Sequence, residues 1–217
     1  MNYNIIRTGS KGNAVVIGGV LMVDCGVPFK LLKDVYKDLR IVLMTHCHSD
    51  HFCKSTIKKL AAERPGLRWG VGEWMARPLV DQGVAKNRID IFDFGIMYDF
   101  CDFAISTFPL YHNAPNCGYH IKLQGKDIFY ATDTGSLDGL ALPDFDLIMI
   151  EANYTDAEIE QTIAAKMESG EFCYETAVVN NHLSKAQADD FISQHLKPGG
   201  EYQYIHQHQE RENANAK

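Results

Sequence analysis

The chain has 217 residues, of which 46% are hydrophobic and 23% are charged, and its formal net charge is −7. This balance is typical of a globular protein, with enough length for one domain with a full core or for two small lobes. The negative charge argues against a protein that coats long nucleic acid, because such binding depends on neutralising phosphates. A small phosphorylated substrate is not excluded.

The sequence shows no targeting or membrane segment. Its first residues, MNYNIIRTGSKGN, lack the long apolar stretch of a signal peptide. No run approaches the roughly 20 apolar residues that span a bilayer. Six cysteines are scattered without a C-x-x-C pair, which favours reduced thiols. We therefore expect a cytoplasmic protein without a membrane partner.

The first part of the chain alternates short strands with helices. Strands are predicted in YNIIRTG and in NAVVIGGVLMVDCG, which folds back around Gly18 and Gly19. Helical spacing of apolar residues after Pro28 predicts a helix in PFKLLKDVYKDL. The apolar run RIVLMT predicts a strand buried on both faces. The helix KSTIKKLAAE, the strand LRWGVG and the helix EWMARPLVDQG follow it.

From residue 89 to residue 130 the pattern changes to strands separated by turn residues: IDIFDFG, DFAISTFPL, GYHIKLQG and KDIFYATD. The strand FDLIMIEAN, the helices DAEIEQTIAAKM and KAQADDFISQHL, and the strand YQYIH complete the chain. Helix–strand units around a block of β-hairpins predict an α/β fold of two packed sheets with helices outside. We expect a single domain over residues 1–209 and a polar, disordered tail over 210–217.

Four potential metal ligands crowd the segment LMTHCHSDHF, directly after the predicted strand RIVLMT. His46, His48, Asp50 and His51 fall within six positions. One short loop therefore offers three imidazoles and a carboxylate, and zinc prefers nitrogen or mixed nitrogen and oxygen ligands. A solvated loop with chance histidines is a much weaker explanation at this spacing.

Further candidate ligands follow other predicted strands. His112 and Asp133 each come just after a strand end, His182 precedes an S-x-x-Q capping box, and His206 and His208 end the final strand. Taken singly, each residue is more often solvated or structural. Their shared position at strand ends favours a common site, because active-site loops collect at one edge of a sheet.

Together these segments resemble the ordered motifs of the metallo-β-lactamase superfamily. The resemblance is carried by Asp24 in LMVDCG, THCHSDH, His112, Asp133 in ATDTG and a late histidine. It extends over almost the whole chain and implies a four-layer αββα sandwich, in agreement with the strand pattern.

The resemblance also implies a site for two divalent metal ions, zinc first and manganese or iron as alternatives. One metal is expected at His46, His48 and His112, and the second at Asp50, His51 and a late histidine, with Asp133 bridging both. Asp24 would orient a ligand histidine from behind. For the late histidine we favour His208, because Asn213 then stands at the spacing of some relatives, and His206 is the alternative.

The segments TGSKGN, IEANYT and NHLSKAQADDF are similar to those of the phosphodiesterase-type branch. That branch includes ribonuclease Z, the WalJ-type exonucleases and the phage anti-Pycsar enzymes that open cyclic mononucleotides. The resemblance implies Asp50, Asp133 and His182 as catalytic residues, with His182 acting at the leaving group. The implied reaction is attack on phosphorus by a hydroxide held between the metals.

The substrate expected first is a small phosphodiester, a cyclic mononucleotide in particular. The acidic chain shows neither a Gly/Pro-rich arm nor a large inserted domain for clamping nucleic acid. A nuclease acting on short or single-stranded RNA or DNA ends is the alternative, and thioester or lactone hydrolysis is a further one. Asn153 and Tyr154 are candidate substrate contacts. By the same resemblance we expect a homodimer.

Overall fold

The computed structural model describes residues 1–207, which form two six-stranded sheets and five α-helices. The predicted tail over 210–217 and His208 lie outside the described residues. The first sheet contains, in order, β1 (Tyr3–Arg7), β2 (Ala14–Ile17), β3 (Leu21–Val23), β4 (Ile41–Met44), β5 (Arg68–Val71) and β6 (Ile89–Ile91). The second contains, also in order, β7 (Tyr98–Asp99), β8 (Phe103–Leu110), β9 (Asn116–Leu123), β10 (Lys126–Ala131), β11 (Phe145–Glu151) and β12 (Leu196–Ile205). The helices are α1 (Lys54–Glu63), α2 (Glu73–Asp81), α3 (Asp156–Ser169), α4 (Glu175–Asn181) and α5 (Lys185–His195).

Apolar side chains hold four layers together. Leu43 of β4 and Ile121 of β9 belong to the cluster between the two sheets. Val42, the neighbour of Leu43, belongs to the cluster that joins the other face of the first sheet to α1 and α2, because successive strand residues face opposite ways. On the outer face of the second sheet, the rings of Phe129 and Phe191 pack 4.5 Å apart, which joins β10 to α5. The predicted αββα sandwich is confirmed.

A buried hydroxyl joins the two sheets directly. The Tyr119 O–H on β9 donates to the carbonyl oxygen of Met44 at the end of β4, over 2.6 Å. Burial raises the pKa of this phenol well above its usual value, so that it stays a donor. The histidine-rich segment begins two residues after Met44. The bond therefore fixes the start of that segment against the second sheet.

Strand direction brings the candidate residues to one edge of the sandwich. The strands β3 to β6 are parallel neighbours, and so are β10 to β12. Asp24 directly follows β3, and Asp133 and His206 follow β10 and β12 closely. Because parallel strands end at the same edge of a sheet, these residues lie close to the segment after β4.

The predicted helix in PFKLLKDVYKDL is wrong. Only Phe29–Leu32 is helical, as a short 3-10 helix, and turns follow it. The Arg64 guanidinium, just past the end of α1, donates to the carbonyl oxygens of Tyr36, Lys37 and Leu39. These are the last carbonyls of the predicted segment, which a helix ending there would also leave unpaired, so the guanidinium holds the end of the segment and does not by itself explain its turns.

Two smaller differences concern element assignment. Ile89–Ile91, predicted within the hairpin block, pairs in parallel with β5 in the first sheet. The helix α4 was not predicted, because its seven residues are too few to show a helical period. The predicted capping box is present at the start of α5, between Ser184 and Gln187. No helix within residues 1–207 has the length and apolar character needed to cross a membrane.

Replacing Arg64 with alanine should lower the free energy of unfolding by about 2 kcal/mol, because three carbonyl oxygens lose a charged donor. Urea denaturation followed by circular dichroism measures this loss. Arg77→Ala is the matched control, since Arg77 makes an exposed ion pair with Asp81 and such pairs contribute less than about 1 kcal/mol. Equal losses in the two variants would contradict the role given to Arg64.

Candidate metal centre

Three imidazoles converge at the edge of the sandwich. The Nε2 atom of His46 lies 3.1 Å from Nδ1 of His48, and Nε2 of His112 lies 3.2 Å from the same atom. Ligand nitrogens around a tetrahedral zinc ion, each about 2.0–2.1 Å from it, are about 3.3 Å apart. The three ring nitrogens therefore have the spacing of a metal site.

Hydrogen bonds from behind fix two of these rings. The carbonyl oxygen of Asn181 lies 3.2 Å from Nδ1 of His112. A carbonyl only accepts, so His112 carries its proton on Nδ1 and leaves Nε2 as a ligand. The Thr45 hydroxyl contacts Nδ1 of His46 over 3.0 Å. Burial lowers the pKa of His46 to about 2 and that of His112 to about 4, so both are neutral at neutral pH, as metal binding requires.

A second group lies beside the first and contains Asp50, His51 and His206. The Oδ2 atom of Asp50 is 3.4 Å from Nε2 of His51 and 3.4 Å from Nε2 of His206. Burial would raise the pKa of Asp50, but the hydrogen bonds from these two histidines hold it well below its usual range. The carboxylate is therefore ionised and available as an oxygen ligand.

Asp133 lies between the two groups. Its Oδ2 atom is 3.0 Å from Nε2 of His51, and its Oδ1 atom is 3.5 Å from Nε2 of His206. Together with His46 and His51 it forms another set of converging ligand atoms. Only 3% of Asp133 is exposed. Burial acts to raise its pKa, but the nearby histidines hold it well below the usual value, so the carboxylate is ionised.

Asp24 supports the centre from the rear. It is fully buried, and its carboxylate accepts hydrogen bonds from the backbone N–H and the hydroxyl of Thr45, each over 2.9 Å. Its Oδ2 atom lies 2.7 Å from Nδ1 of His51. Burial acts to lower the pKa of His51, but Asp133 and Asp24 raise it well above the usual value. With Nδ1–H directed to Asp24, the Nε2 atom of His51 faces the other ligands.

His182 forms a dyad with a buried glutamate. Its Nδ1 atom lies 2.9 Å from Oε2 of Glu151, which is fully buried. The other oxygen of Glu151 accepts from the backbone N–H groups of Thr134 (2.6 Å) and Leu183 (3.3 Å). Burial raises the pKa of Glu151 although the bond to His182 acts to lower it. Nε2 of His182 has no hydrogen-bond partner in the described part of the chain and is the nitrogen left for a ligand.

Three of the predicted site residues, His208, Asn153 and Tyr154, lie outside the two ligand groups or outside the described residues. His208, the last ligand predicted from the sequence, lies outside the described residues. The structure instead places His206 in the second group. Asn153, a candidate substrate contact, is buried, and its Nδ2 atom lies 3.1 Å from the His206 carbonyl oxygen. Tyr154 is partly exposed and lines a cavity of about 780 Å³ beside α3 and α4, so its contact with substrate stays a prediction.

Two residues of the site were missed from the sequence. Asn13 is buried, and its Nδ2 atom lies 2.9 Å from Nε2 of His51 and 3.4 Å from Oδ2 of Asp50. Glu151 is the buried partner of His182. Both lie inside segments that carried the resemblance, TGSKGN and IEANYT, but neither has a spacing that identifies a ligand.

The donor set fits two divalent cations. Within residues 1–207, the ion pairs of Asp50 and Asp133 are with histidines alone. Buried charges are costly unless they are paired or coordinate a metal. Three imidazoles in one group, a carboxylate with two imidazoles in the next, and a carboxylate between them match the nitrogen and oxygen preferences of zinc, manganese or iron.

Comparison with known proteins agrees with the motifs. A family model described as a beta-lactamase superfamily domain matches residues 21–188. The chain belongs to the metallo-β-lactamase superfamily. The resemblance drawn from the ordered histidine and aspartate motifs is thereby confirmed.

The similar proteins include a relative with 30% sequence identity and two solved structures that share the fold. Exodeoxyribonuclease WalJ of Streptococcus pneumoniae serotype 2 is 30% identical over 179 residues, which are 72% of this chain and 64% of that protein. This chain therefore spans less than two thirds of that relative's length. The crystal structure of the metallo-beta-lactamase fold protein YhfI from Bacillus subtilis gives a TM-score of 0.71 at 17% identity, covering 96% of this chain and 86% of that one. Human tRNase Z, short form, gives 0.70 at 15% identity, covering 96% and 93%. The two structures show the shared fold.

Asp24→Asn should weaken zinc binding about 10- to 100-fold, as loss of a residue that orients a ligand typically does. An amide cannot accept from the Thr45 donors through one atom and from His51 through the other, so the His51 ring loses its fixed proton position. Competition with a chelating fluorophore measures the affinity. Asp38→Asn, at an exposed position, is the matched control. Unchanged affinity in a folded Asp24→Asn protein would contradict the assignment.

Proposed function

We propose that this chain is a dinuclear metal-dependent phosphodiesterase, and that cyclic mononucleotides are its first substrate class. The observation that carries the proposal is the position of Asp133. Its two carboxylate oxygens face His51 and His206 at 3.0 and 3.5 Å, and it also groups with His46. A structural zinc site needs only four closed ligands. A carboxylate shared between two ligand groups favours hydrolysis.

His46, His48 and His112 would hold one cation, and Asp50, His51 and His206 the other, with Asp133 between them. Bound at this site, the pair supplies an activated water and offsets negative charge that develops on a phosphoryl group. Zinc is the first choice, and manganese or iron satisfies the same donors.

The chain's own residues supply binding and proton transfer. Glu151 accepts from Nδ1 of His182 and fixes the ring, so that Nε2 is directed away from Glu151 and is the nitrogen available to the substrate. That atom would either donate its proton to the departing ribose oxygen or hold a phosphate oxygen. Asp24 holds His51 through Nδ1, whereas Asn13 lies beside Nε2 and would give that atom up to a cation. Asn153 binds the backbone carbonyl of His206. No side chain is required as a nucleophile.

A small phosphodiester is favoured over long nucleic acid by two features. The net charge is −7, which opposes the phosphate contacts that dominate binding to long strands. Within residues 1–207 the sheets and helices form the sandwich and one further pair of helices, α3 and α4, and no additional domain that could clamp a nucleic acid is present.

The expected homodimer stays a prediction, which light scattering of the purified protein tests.

A nuclease that acts on short or single-stranded ends is the second candidate. It is supported by the names of two similar proteins, an exodeoxyribonuclease and a tRNase. Thioester or lactone hydrolysis is a third candidate, and nothing in this chain favours it beyond the shared ligand set.

The experiment that tests the proposal is chromatography of the products after the metal-loaded protein is incubated with cyclic mononucleotides. Linear mononucleotides should appear with the wild type and with Asp138→Ala, an exposed control, and not with Asp133→Ala. Retention of full turnover by Asp133→Ala would overturn the mechanism. Absence of conversion in a protein with two bound metals would favour the nuclease candidate, to be assayed on short oligonucleotides.

The two roles open to His182 predict different responses to the leaving group. If His182 donates a proton, His182→Ala should lower kcat on a cyclic nucleotide about 100-fold or more. The loss on bis(p-nitrophenyl) phosphate should then be far smaller, because p-nitrophenolate leaves without protonation. Equal losses on both substrates would instead assign His182 to holding the phosphate. His195→Ala is the control, since His195 packs against Phe191 away from the centre.

A further inference from the structure

An aromatic pair stands at the same edge of the sandwich as the metal centre. Trp74 lies in the first turn of α2, directly after β5, and Phe94 lies in the loop that joins β6 to β7. Their ring centroids are 6.0 Å apart with an interplanar angle of 42°. The proposed chemistry uses neither ring.

The tryptophan is fixed beside the metal ligands. Its indole N–H donates to the carbonyl oxygen of Thr45 over 3.4 Å, and the Thr45 hydroxyl contacts His46. The indole also lies over Gly72, where an added Cβ would come within 2.2 Å of a ring carbon. Trp74 is therefore a rigid side chain that contacts Thr45, the residue directly before the candidate ligand His46.

The phenylalanine continues this surface into solvent. Phe94 is 47% exposed, and its loop neighbours Ile96 and Met97 are 53% and 40% exposed. The loop is not loose, because the N–H of Gly95 donates to the carbonyl oxygen of Thr107 on β8 over 2.9 Å. We call Trp74, Phe94, Ile96 and Met97 the aromatic rim. Adjacent exposed apolar side chains at the mouth of a site are a feature of ligand-binding surfaces.

We propose that the aromatic rim binds the nucleobase of the substrate by stacking. This inference rests on the proposed function, since a phosphodiester at the metal centre carries its base one sugar away. A nucleobase is planar and uncharged and has apolar faces, so it can stack against the aromatic and aliphatic side chains of the rim. The loop that carries Phe94, FDFGIM over residues 92–97, contains no lysine or arginine, so it offers no cation to a second phosphate. Because every base has a π face, stacking predicts tolerance among the four bases.

Binding of 5′-AMP and of ribose 5-phosphate to the metal-loaded protein tests the rim, because the two ligands differ only at C1′, where one carries adenine and the other a hydroxyl group. Tryptophan fluorescence reports the contact, since the only other tryptophan, Trp69, is 1% exposed. We expect 5′-AMP to quench the emission and to bind about tenfold more tightly than ribose 5-phosphate.

Variants separate stacking from general packing. Phe94→Ala should remove the preference for 5′-AMP, and Phe94→Tyr should keep it. Phe172→Ala removes a phenylalanine that is 88% exposed near α4 and should behave as the wild type. An unchanged preference in Phe94→Ala would overturn the inference. A lower molecular mass of Phe94→Ala than of the wild type, measured by light scattering, would also overturn the inference, because the rim would then be an interface with a second copy of the chain.

The result is distinguishable from a failure of the proposed function. Hydrolysis of bis(p-nitrophenyl) phosphate by the wild type, with no preference for 5′-AMP, would reject the rim and keep the phosphodiesterase. A preference that depends on Phe94, without hydrolysis of any phosphodiester, would keep the nucleobase site and reject the phosphodiesterase.

Discussion

The buried carboxylate of Asp24 is the contact on which the rest of the metal centre depends. It sits at the end of β3 with φ 61°, a left-handed conformation that aspartate adopts more readily than most residues. One end of the ligand loop, Thr45, and the other end, His51, both donate to it. The loop is thus held at both ends against the neighbouring strand. The candidate ligands between those ends are restrained by that closure.

The centre contains the carboxylates of Asp50 and Asp133, and within residues 1–207 histidines alone pair with their negative charge. Asp50 and Asp133 face histidines, and two of the nearby imidazoles, His46 and His112, are held neutral by burial. His51 keeps a raised pKa because it stands between carboxylates. Cations at these positions would replace that proton and satisfy both carboxylates, so their binding free energy adds to that of folding.

Most of the fold and the core of the site could be read from local pattern. The apolar runs and the HCHSDH spacing are short-range features, and strand ends locate His112 and Asp133. The rest depends on distant contacts. The helix predicted after Pro28 is replaced by turns, and the end of that segment is held by the Arg64 guanidinium, which comes later in the chain. The choice between the two late histidines was open because residues two apart lie on the same side of a strand.

The candidate ligands are divided between the two sheets. The hydrogen bond between Tyr119 and Met44, which joins the sheets, therefore also helps to set the distance between ligands. The separation of the sheets sets how far apart opposing ligands stand, and that separation is a property of the apolar interior. Loss of a methyl group there leaves a cavity around which the structure relaxes only in part, and that relaxation shifts the sheets relative to each other. Interior residues far from the centre therefore influence the geometry of the candidate ligands as well as the stability of the fold.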